Sequence, residues 1–431
     1  MIDRSALKAI REAHNHTLEL FAHKLGYKAE YIRDLEDPSQ TRVVATHAFV
    51  RKLREEFDLH DAPLTVKDIE DFANELHRLR DLIDYGEMQR AKEMMPKLAK
   101  RAEQSCHRSL QCLHDLYVAR YYHIVGNTRV YTRTMNSLGR RQSDFTELCN
   151  FLYHYQIAIQ ALTEHRLHEA HEAFDKAEKI DKEYKWCGLS FNYHYGLCLS
   201  NMGYAAKAIR YFEQAQHKAK EDKNFEGKTN RRFDIYIECW LARNYSKIGH
   251  VDKAFFILNE RIDYETKRGS TVAALGYVYH NLGEAYHMMG NFNEALEHYE
   301  QAFKYHEERS EPYLDNLYHK AITLIECNRV AEAMDCVSKG LRMNKTRIWT
   351  VLFMALMHSV ALSDPKSLEY MEKVAIPDLL ELGQYEEVIN HLETVSKFYK
   401  EAGDLENALE HAGAMYEIQK QIYHDRVERG V

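Results

Sequence analysis

Five alanines recur at nearly even spacing in the C-terminal two thirds of the chain, and this repeat limits the fold more than any other feature. They are Ala170, Ala208, Ala254, Ala295 and Ala333, separated by 38, 46, 41 and 38 residues. Each is followed four residues later by a large apolar residue. A small residue at a fixed place lets two helices touch, and the larger residues fill the gaps between helix pairs. The pattern therefore predicts an array of helix pairs.

The clearest copy carries a longer set of small and aromatic residues, namely Tyr279, Leu282, Gly283, Tyr286, Gly290, Ala295, Tyr299 and Ala302. This copy resembles the tetratricopeptide repeat, whose consensus is 34 residues long. Because the spacings here exceed that length, we expect lengthened helices or loops. Segments around Gly86 and Gly403 resemble atypical end repeats. The resemblance implies a superhelical solenoid from about residue 66 to 431.

Composition agrees with an all-α fold. Only 18 Gly and 6 Pro occur in 431 residues, and 45% of the residues are hydrophobic. Low Gly and Pro content favours long helices. No apolar run of about 20 residues predicts a membrane span, and the first residues do not resemble a signal peptide. The eight cysteines are scattered without a Cys-x-x-Cys pair, which is typical of a reduced compartment. We expect a cytoplasmic protein.

Before the repeats, the first 60 residues predict four short helices, over 5–15, 17–25, 28–36 and 45–57. The segment contains Leu7, Ile10 and Arg11, then Thr17, Phe21, Ala22, Leu25 and Gly26, then Ile32, Leu35 and Glu36. This pattern resembles the phage-repressor-like helix-turn-helix family. The resemblance implies a DNA-binding domain over 1–62, a linker over 63–67 and the repeat domain over 68–431. It also implies a structural ion pair between Arg11 and Glu36.

A recognition helix presents its N-terminal and outward residues to base edges. In this chain those residues are Lys28, Ala29, Glu30 and Arg33. The candidate phosphate contacts are Lys24, Arg42, Arg51 and Lys52. The net charge of the chain is −8, and residues 1–62 hold ten Lys/Arg against eleven Asp/Glu. Phosphate binding gains affinity from cations, and this segment has no excess of them. A head that only binds protein or dimerises is therefore an alternative.

The first helix of each repeat lines the concave groove of a solenoid. The candidate peptide contacts at these positions are Tyr155, Gln156, Tyr193, His194, Asn201, Trp240, Arg243, Asn244, Tyr277, His280, Asn281, Glu284, Asn316, Tyr318 and His319. Amides can hold an extended backbone, aromatic rings form apolar pockets, and Arg243 can meet a carboxylate. Simple packing between helices is the alternative for individual tyrosines.

A helix-turn-helix head followed by tetratricopeptide repeats resembles the RNPP family of bacterial peptide-pheromone receptors (Rap, NprR, PlcR and PrgX), with an NprR-like length. The resemblance implies a quorum-sensing transcription regulator that binds a double-stranded DNA operator and a short signalling peptide as a homodimer. It implies that asparagines, Asn281 foremost, hold the peptide backbone. Whether the peptide promotes or releases DNA binding stays open.

Two alternatives remain. One is a Rap-like regulator that binds a response-regulator protein through the helices of 66–150, where Gln89, Gln104 and Gln111 lie. The other is a tetratricopeptide scaffold whose head does not bind DNA.

An enzyme is not indicated, because nucleotide-binding and nucleophile motifs are absent from the sequence. His165, His168 and His171 lie three residues apart, so their side chains fan around a helix rather than converge. The sequence predicts no cofactor and no metal.

Overall fold

A computed structural model describes residues 2–40, 42–181, 186–221, 232–267 and 274–427. These residues form helices and short connections, and within them the only extended pairing is an isolated antiparallel bridge between Ile2 and Thr65. The predicted all-α class is confirmed. None of the described helices is long and apolar enough to span a bilayer.

The helices, in chain order, are α1 (Arg4–Ala13), α2 (Leu18–Leu25), α3 (Ala29–Glu36), α4 (His47–Glu56), α5 (Val66–Asp84), α6 (Met88–Glu103), α7 (Arg108–Ile124), α8 (Thr128–Gly139), α9 (Glu147–Thr163), α10 (Leu167–Ile180), α11 (Leu189–Asn201), α12 (Ala205–Glu221), α13 (Arg232–Lys247), α14 (Val251–Lys267), α15 (Leu275–Met288), α16 (Phe292–Phe303), α17 (Glu311–Glu326), α18 (Val330–Met343), α19 (Arg347–Ser359), α20 (Pro365–Tyr370), α21 (Ile376–Glu381), α22 (Tyr385–Glu401) and α23 (Leu405–Val427). A 3-10 turn, Gln142–Asp144, precedes α9, and a π-helical segment, Met371–Ala375, joins α20 to α21.

The chain divides into two compact units. The first contains residues 1–157 and 176–186, and the second contains residues 158–175 and 187–431. The four short N-terminal helices therefore belong to the same unit as α5 to α8. The helix pairs that carry the clearest repeats belong to the second unit.

Capping residues set where the N-terminal helices begin and end. The Thr17 hydroxyl accepts a hydrogen bond from the Leu20 amide, and Thr46 does the same for Phe49, so α2 and α4 begin at capped ends. Helix α2 ends at Gly26, whose φ of 68° is left-handed. Leu7, Phe21, Ile32, Phe49 and Leu53 share one buried core with Leu64.

The segment 63–67, predicted as a linker, contributes to the core of the N-terminal helices. Leu64 within it is 0% exposed, and Ala62 just before it is 1% exposed. Helix α5 begins within this segment at a capping box formed by Thr65 and Asp68. Arg54 of α4 donates to Asp68 at 2.9 Å. These contacts continue the N-terminal core into α5.

One turn geometry is used throughout the helix pairs. A single residue with left-handed backbone ends the first helix, and the amide that follows it donates to a carbonyl five residues earlier, at 2.8–2.9 Å. This is the hydrogen bond of a Schellman motif. The left-handed residues are Gly86, Gly126, His165, Gly203, Gly249, Gly290, Asn328, Gly383 and Gly403.

The repeated alanines lie at a fixed distance from these turns. Ala170, Ala208, Ala254, Ala295 and Ala333 each follow a left-handed residue by five positions, and all are 0% exposed. In the pair α7–α8 the same place is taken by Tyr131, which is 1% exposed. The turn fixes where the second helix begins, and the buried residue five positions later sets how closely it approaches the first.

Candidate functional site

The segment predicted to be a helix-turn-helix consists of α2, the turn at Gly26 and α3. Lys28 is the N-cap residue of α3, and Ala29 packs partly into the head core. The charged residues predicted to contact DNA are all exposed, namely Lys24, Lys28, Glu30, Arg33, Arg42, Arg51 and Lys52. Their side chains are therefore accessible to a ligand of the first unit.

Arg11 and Glu36 form the ion pair that the family resemblance implies. The Arg11 Nε donates to one carboxylate oxygen at 2.7 Å and Nη2 donates to the other at 2.8 Å. The pair joins α1 to the last residue of α3. The hydrogen bond to Glu36 raises the pKa of Arg11. This bidentate geometry fixes the orientation of α3 against α1.

Sequence reasoning missed a second arginine that holds the same helix. Arg4 donates to the carbonyl oxygens of Asp34, Asp37, Gln40 and Val43, at 2.5–3.0 Å. A cation at the C-terminal end of a helix is favoured by the helix dipole. Arg4 therefore fixes both the end of α3 and the loop after it. Nothing in its local sequence distinguishes it from a surface cation.

In the second unit, the first helices of three successive pairs bring together a buried polar cluster. It contains Arg243 of α13, His280 and Glu284 of α15, and Asp315 and His319 of α17. The Arg243 guanidinium lies 3.1 Å from Glu284 and 3.6 Å from Asp315. His280 and His319 lie 3.3 and 3.4 Å from Asp315. Four of these five residues, all except Asp315, are among the predicted peptide contacts.

The cluster is electrostatically coupled. Burial acts to raise the pKa of Asp315, but nearby His280 and Arg243 outweigh it and hold that pKa far below its usual range. Burial lowers the pKa of His280 and outweighs the two carboxylates beside it. In His319 the carboxylates outweigh burial, and its pKa is raised. The site therefore holds ionised carboxylates, a guanidinium and two imidazoles of different basicity.

Helix α22 adds charges that sequence reasoning missed. Lys247 of α13 forms an ion pair with Glu386 at 2.5 Å. The Tyr318 hydroxyl donates to Glu387 at 2.7 Å. Burial, followed by the neighbouring Glu386 charge, raises the pKa of Glu387. These glutamates lie outside the repeats that were recognisable in the sequence, so no frame assigned them to this surface.

The asparagines on these helices make different contacts. Asn244 is 0% exposed, and its amide donates to Ser200 at 3.0 Å and to the Trp240 carbonyl at 2.8 Å. Asn316 is also 0% exposed and lies between His280 and the Tyr299 carbonyl. Both link neighbouring helices within the fold.

Asn281, like Asn244, has a buried side-chain oxygen with spare hydrogen-bonding capacity. It is 6% exposed and donates to the Tyr277 carbonyl at 2.6 Å. Its Oδ1 has no hydrogen-bond partner among the described residues. The Asn281 side-chain oxygen can thus accept a hydrogen bond from a ligand in an open groove.

The remaining predicted groove residues are mostly aromatic and partly buried. Arg243 lies over the Trp240 ring at 5.3 Å, and the Tyr277 ring lies 5.3 Å from that of Tyr236. Tyr193, His194 and Asn201 on α11 are half-buried. Burial raises the pKa of Tyr193 and Tyr277. These rings provide apolar surface in the same unit as the polar cluster.

Tyr155 and Gln156 belong to the first unit. The Arg120 guanidinium lies over the Tyr155 ring at 5.4 Å and donates to Asp84 at 2.9 Å. Gln156 is 1% exposed, and its side-chain oxygen has no hydrogen-bond partner in the described chain.

A basic groove of about 870 Å³ follows one side of α8 in the first unit. It is lined by Thr128, Arg129, Thr132, Arg133, Asn136, Ser137, Arg140 and Arg141. Arg141 is paired with Asp115 at 3.0 Å. Arg129, Arg133 and Arg140 are exposed, and no carboxylate lines the groove.

The two glutamines nearest the head serve the fold. Gln104 accepts from the Asp61 amide and donates to the Asp58 carbonyl. Gln111 donates to the Ser105 carbonyl and accepts from Arg141. Gln89 is exposed and donates to Glu93.

The three histidines of α10 and its preceding turn do not converge. His165 is the left-handed turn residue and lies 2.8 Å from Glu311. His168 contacts Tyr385, whereas His171 contacts the Tyr195 hydroxyl.

Comparison with known proteins first identifies the class of fold. Residues 276–308 and 189–216 each match the tetratricopeptide repeat. No curated protein matches this amino-acid sequence. The helix pairs of the second unit therefore include tetratricopeptide repeats.

Solved structures identify the fold more narrowly. A Rap protein complexed with competence and sporulation factor has a TM-score of 0.68 at 14% identity, over 83% of this chain and 99% of that one. NprR in complex with its cognate peptide NprX has a TM-score of 0.70 at 16% identity, over 81% and 99%. The apo quorum sensor NprR from B. thuringiensis has a TM-score of 0.61 at 15% identity, over 81% and 99%. The resemblance to the RNPP family is confirmed at the level of the fold.

Proposed function

We propose that the chain is a quorum-sensing transcription regulator. Its helix-turn-helix head binds a DNA operator, its repeat array binds a short signalling peptide, and the functional form is a homodimer in the cytoplasm. The observation that carries this proposal is the polar cluster on α13, α15 and α17, within a fold shared with Rap and NprR structures that contain bound peptides. Charged groups gathered on the first helices of successive repeats are suited to hold an extended ligand.

Within the groove, we assign different roles to the predicted residues. Arg243 is the contact for a peptide carboxylate, since guanidinium and carboxylate groups form paired hydrogen bonds. Asn281 accepts a peptide amide, and Trp240 and Tyr277 supply apolar surface. Asn244 and Asn316 support the groove, because their amides are already engaged between helices.

Peptide binding is tested by incubating the full chain with a synthetic library of short linear peptides and identifying the retained sequences by mass spectrometry. We expect a selective set, lost in Arg243→Ala and kept in Arg210→Ala, a control in which an exposed arginine on α12 is removed. Equal retention by both variants would remove Arg243 from the site. No retention by the wild type would contradict the peptide assignment.

DNA binding is tested by selection from random duplexes, followed by titration of the enriched sequence. Lys28→Ala/Arg33→Ala removes two exposed cations at the start of α3 and on its surface. We expect it to lose selectivity, whereas Lys8→Ala on α1 leaves binding unchanged. No enrichment with or without the selected peptides would favour the scaffold alternative.

The basic groove on α8 favours a second candidate function, in which the first unit binds an acidic surface of a response-regulator protein. Three exposed arginines without a lining carboxylate complement such a surface. Arg129→Ala/Arg133→Ala should then weaken binding to a panel of purified response regulators, while Lys28→Ala/Arg33→Ala does not. Absence of binding to any member would leave DNA control as the sole function.

A further inference from the structure

Two histidines and two carboxylates converge in the second unit from helices that are far apart in sequence. His280 and Glu284 lie one turn apart on α15, and Asp315 and His319 lie one turn apart on α17. The imidazole Nε2 of His280 is 3.3 Å from Asp315 and 3.7 Å from Glu284. The Nε2 of His319 is 3.4 Å from each of the same two carboxylates. Both carboxylates therefore bridge both imidazoles.

These distances are similar to those between neighbouring ligand atoms of one metal ion. Zinc binds imidazole nitrogen and carboxylate oxygen at about 2.0–2.2 Å in tetrahedral geometry, which places neighbouring ligand atoms roughly 3.3–3.6 Å apart. The four measured separations span 3.3–3.7 Å. Each carboxylate meets His280 with one oxygen and His319 with the other, so the four separations involve six atoms. One ligand atom each from His280, Glu284 and His319 lie within 4.8 Å of one another, so these three side chains can reach a common ion.

The surroundings orient one ligand for this role. The Nδ1 of His280 faces the Asn316 oxygen at 3.0 Å, and the Asn316 amide donates to the Tyr299 carbonyl at 2.9 Å. The Asn316 oxygen therefore accepts a hydrogen bond from Nδ1–H, and this tautomer leaves Nε2 with its lone pair. Ligating histidines are typically fixed by such a second hydrogen bond. His280 Nε2 and Glu284 Oε2 are buried without a hydrogen-bond partner in the described residues.

Charge also favours a divalent cation. The carboxylates of Glu284 and Asp315 lie 3.3–3.7 Å from the two imidazoles and supply negative charge at the site. Arg243 competes for the site, since its guanidinium lies 3.1 Å from Glu284 Oε1 and 3.3 Å from His319 Nε2. When a metal binds, the guanidinium can keep its contact with Glu284 while it moves away from His319.

We propose that His280, Glu284 and His319 form a binding site for a divalent transition metal, with Asp315 beside it and with zinc as the ion the ligand set fits. Two imidazole nitrogens and one carboxylate oxygen suit zinc or cobalt better than calcium or magnesium, which take oxygen ligands. The ion connects α15 to α17 and so fixes two neighbouring repeats. The sequence did not predict it, because His319 lies 35 residues after Glu284 and the three ligands form no recognised metal motif. This inference does not depend on peptide or DNA binding.

The test is a Co²⁺ titration of the metal-free full chain, followed by visible absorption, with Zn²⁺ competition. We expect one tetrahedral Co²⁺ spectrum per chain, displaced by Zn²⁺, and a higher melting temperature of the Zn²⁺-loaded wild type. His280→Gln and His319→Gln should each weaken binding at least about 10–100-fold. His250→Gln, which changes an exposed histidine of the same unit, is the control.

Arg243→Ala distinguishes a metal site from a network of ion pairs that needs no metal. If a metal binds, removal of this competing cation leaves the Co²⁺ affinity unchanged or tightens it. If the network is self-contained, the wild type shows neither a tetrahedral spectrum nor a zinc-dependent melting shift, and that result overturns the proposal. Equal affinities of His280→Gln and His250→Gln would also overturn it. Because the wild-type spectrum and melting shift need no variant, they test the metal site even if a variant misfolds.

Discussion

Gly283 of α15 lies against α16, and it illustrates how a single residue sets the spacing of a repeat. A Cβ at this position would lie 2.5 Å from the Tyr299 ring of the paired helix. Gly196 faces Phe212 in the same manner at 2.8 Å. In these two repeats the Gly and the aromatic residue that faces it therefore pack as a pair.

Gly283→Ala should destabilise the second unit by about 1–3 kcal/mol, because the added methyl overpacks a buried interface. Chemical denaturation measures this change. Gly413→Ala is the matched control, since a Cβ there contacts nothing within 4 Å on exposed α23. It should stabilise by about 0.5–1 kcal/mol through helix propensity. Similar effects of both substitutions would contradict the packing explanation.

Arg11→Ala should destabilise the first unit by about 1–3 kcal/mol, because the largely buried Glu36 loses two charge-assisted hydrogen bonds. The Glu36 side chain is only 9% exposed. Lys8→Ala is the control, because Lys8 and Glu12 are more than half exposed and 3.9 Å apart. Equal midpoints for both variants in urea denaturation would show that the Arg11–Glu36 pair adds nothing.

Because His391 is buried, we expect the folded chain to lose stability in acid. Burial lowers its pKa to about 4 in the folded chain, whereas the unfolded value is about 6.5. Between these values the unfolded chain binds the proton, so stability is complete above about pH 6.5 and falls as the pH drops toward 4. The contribution is roughly 3 kcal/mol. His391→Phe should flatten the pH dependence of unfolding in this window, and an unchanged slope would refute this origin.

At the scale of elements, the left-handed turn residue is what repeats most faithfully. Seven of the nine turns in the described helix pairs place Gly there, and His165 and Asn328 occupy the other two. This conformation costs a residue with a Cβ about 1–2 kcal/mol, and it costs Asn less than most.

Gly290→Ala should therefore destabilise the chain by about 1 kcal/mol from the backbone alone, since a Cβ there meets nothing within 4 Å. Asn328→Gly, at the equivalent turn of the next pair, should be neutral or slightly stabilising. Thermal unfolding of both variants checks the sign. A stabilising Gly290→Ala would mean that the turn does not require left-handed backbone.

The same elements explain how much the sequence could predict. Alternation of Ala and aromatic residues located the pairs from α9 to α18, and the caps Thr17 and Gly26 located α2. The pair α7–α8 was missed because Tyr131 replaces the alanine that marks the other second helices. Glu386 and Glu387 were missed because the end repeat around Gly403 is atypical, and no groove positions were assigned on its first helix, α22.

The candidate site was predictable in part. Groove positions in the repeat frame identified Arg243, His280, Glu284 and His319. Their mutual contacts were not predictable, because the spacing between neighbouring first helices depends on packing that sequence alone does not give. Arg4 was missed for the same reason, since its four carbonyl partners come from the far end of α3 and its loop.

At the scale of the whole molecule, we assign DNA binding to residues of the first unit and peptide binding to residues of the second. A regulator of this kind requires a coupling free energy between the two sites, typically 1–3 kcal/mol or about 5–150-fold in affinity. By linkage, DNA must change peptide affinity by the same factor as peptide changes DNA affinity.

The most direct measurement is the affinity of the full chain for its selected DNA, by fluorescence anisotropy, with and without a selected peptide. We expect a change of about 5–150-fold in either direction, abolished in Arg243→Ala and retained in Arg210→Ala. A peptide that saturates the chain while leaving DNA affinity unchanged would contradict the proposal that one ligand controls the other.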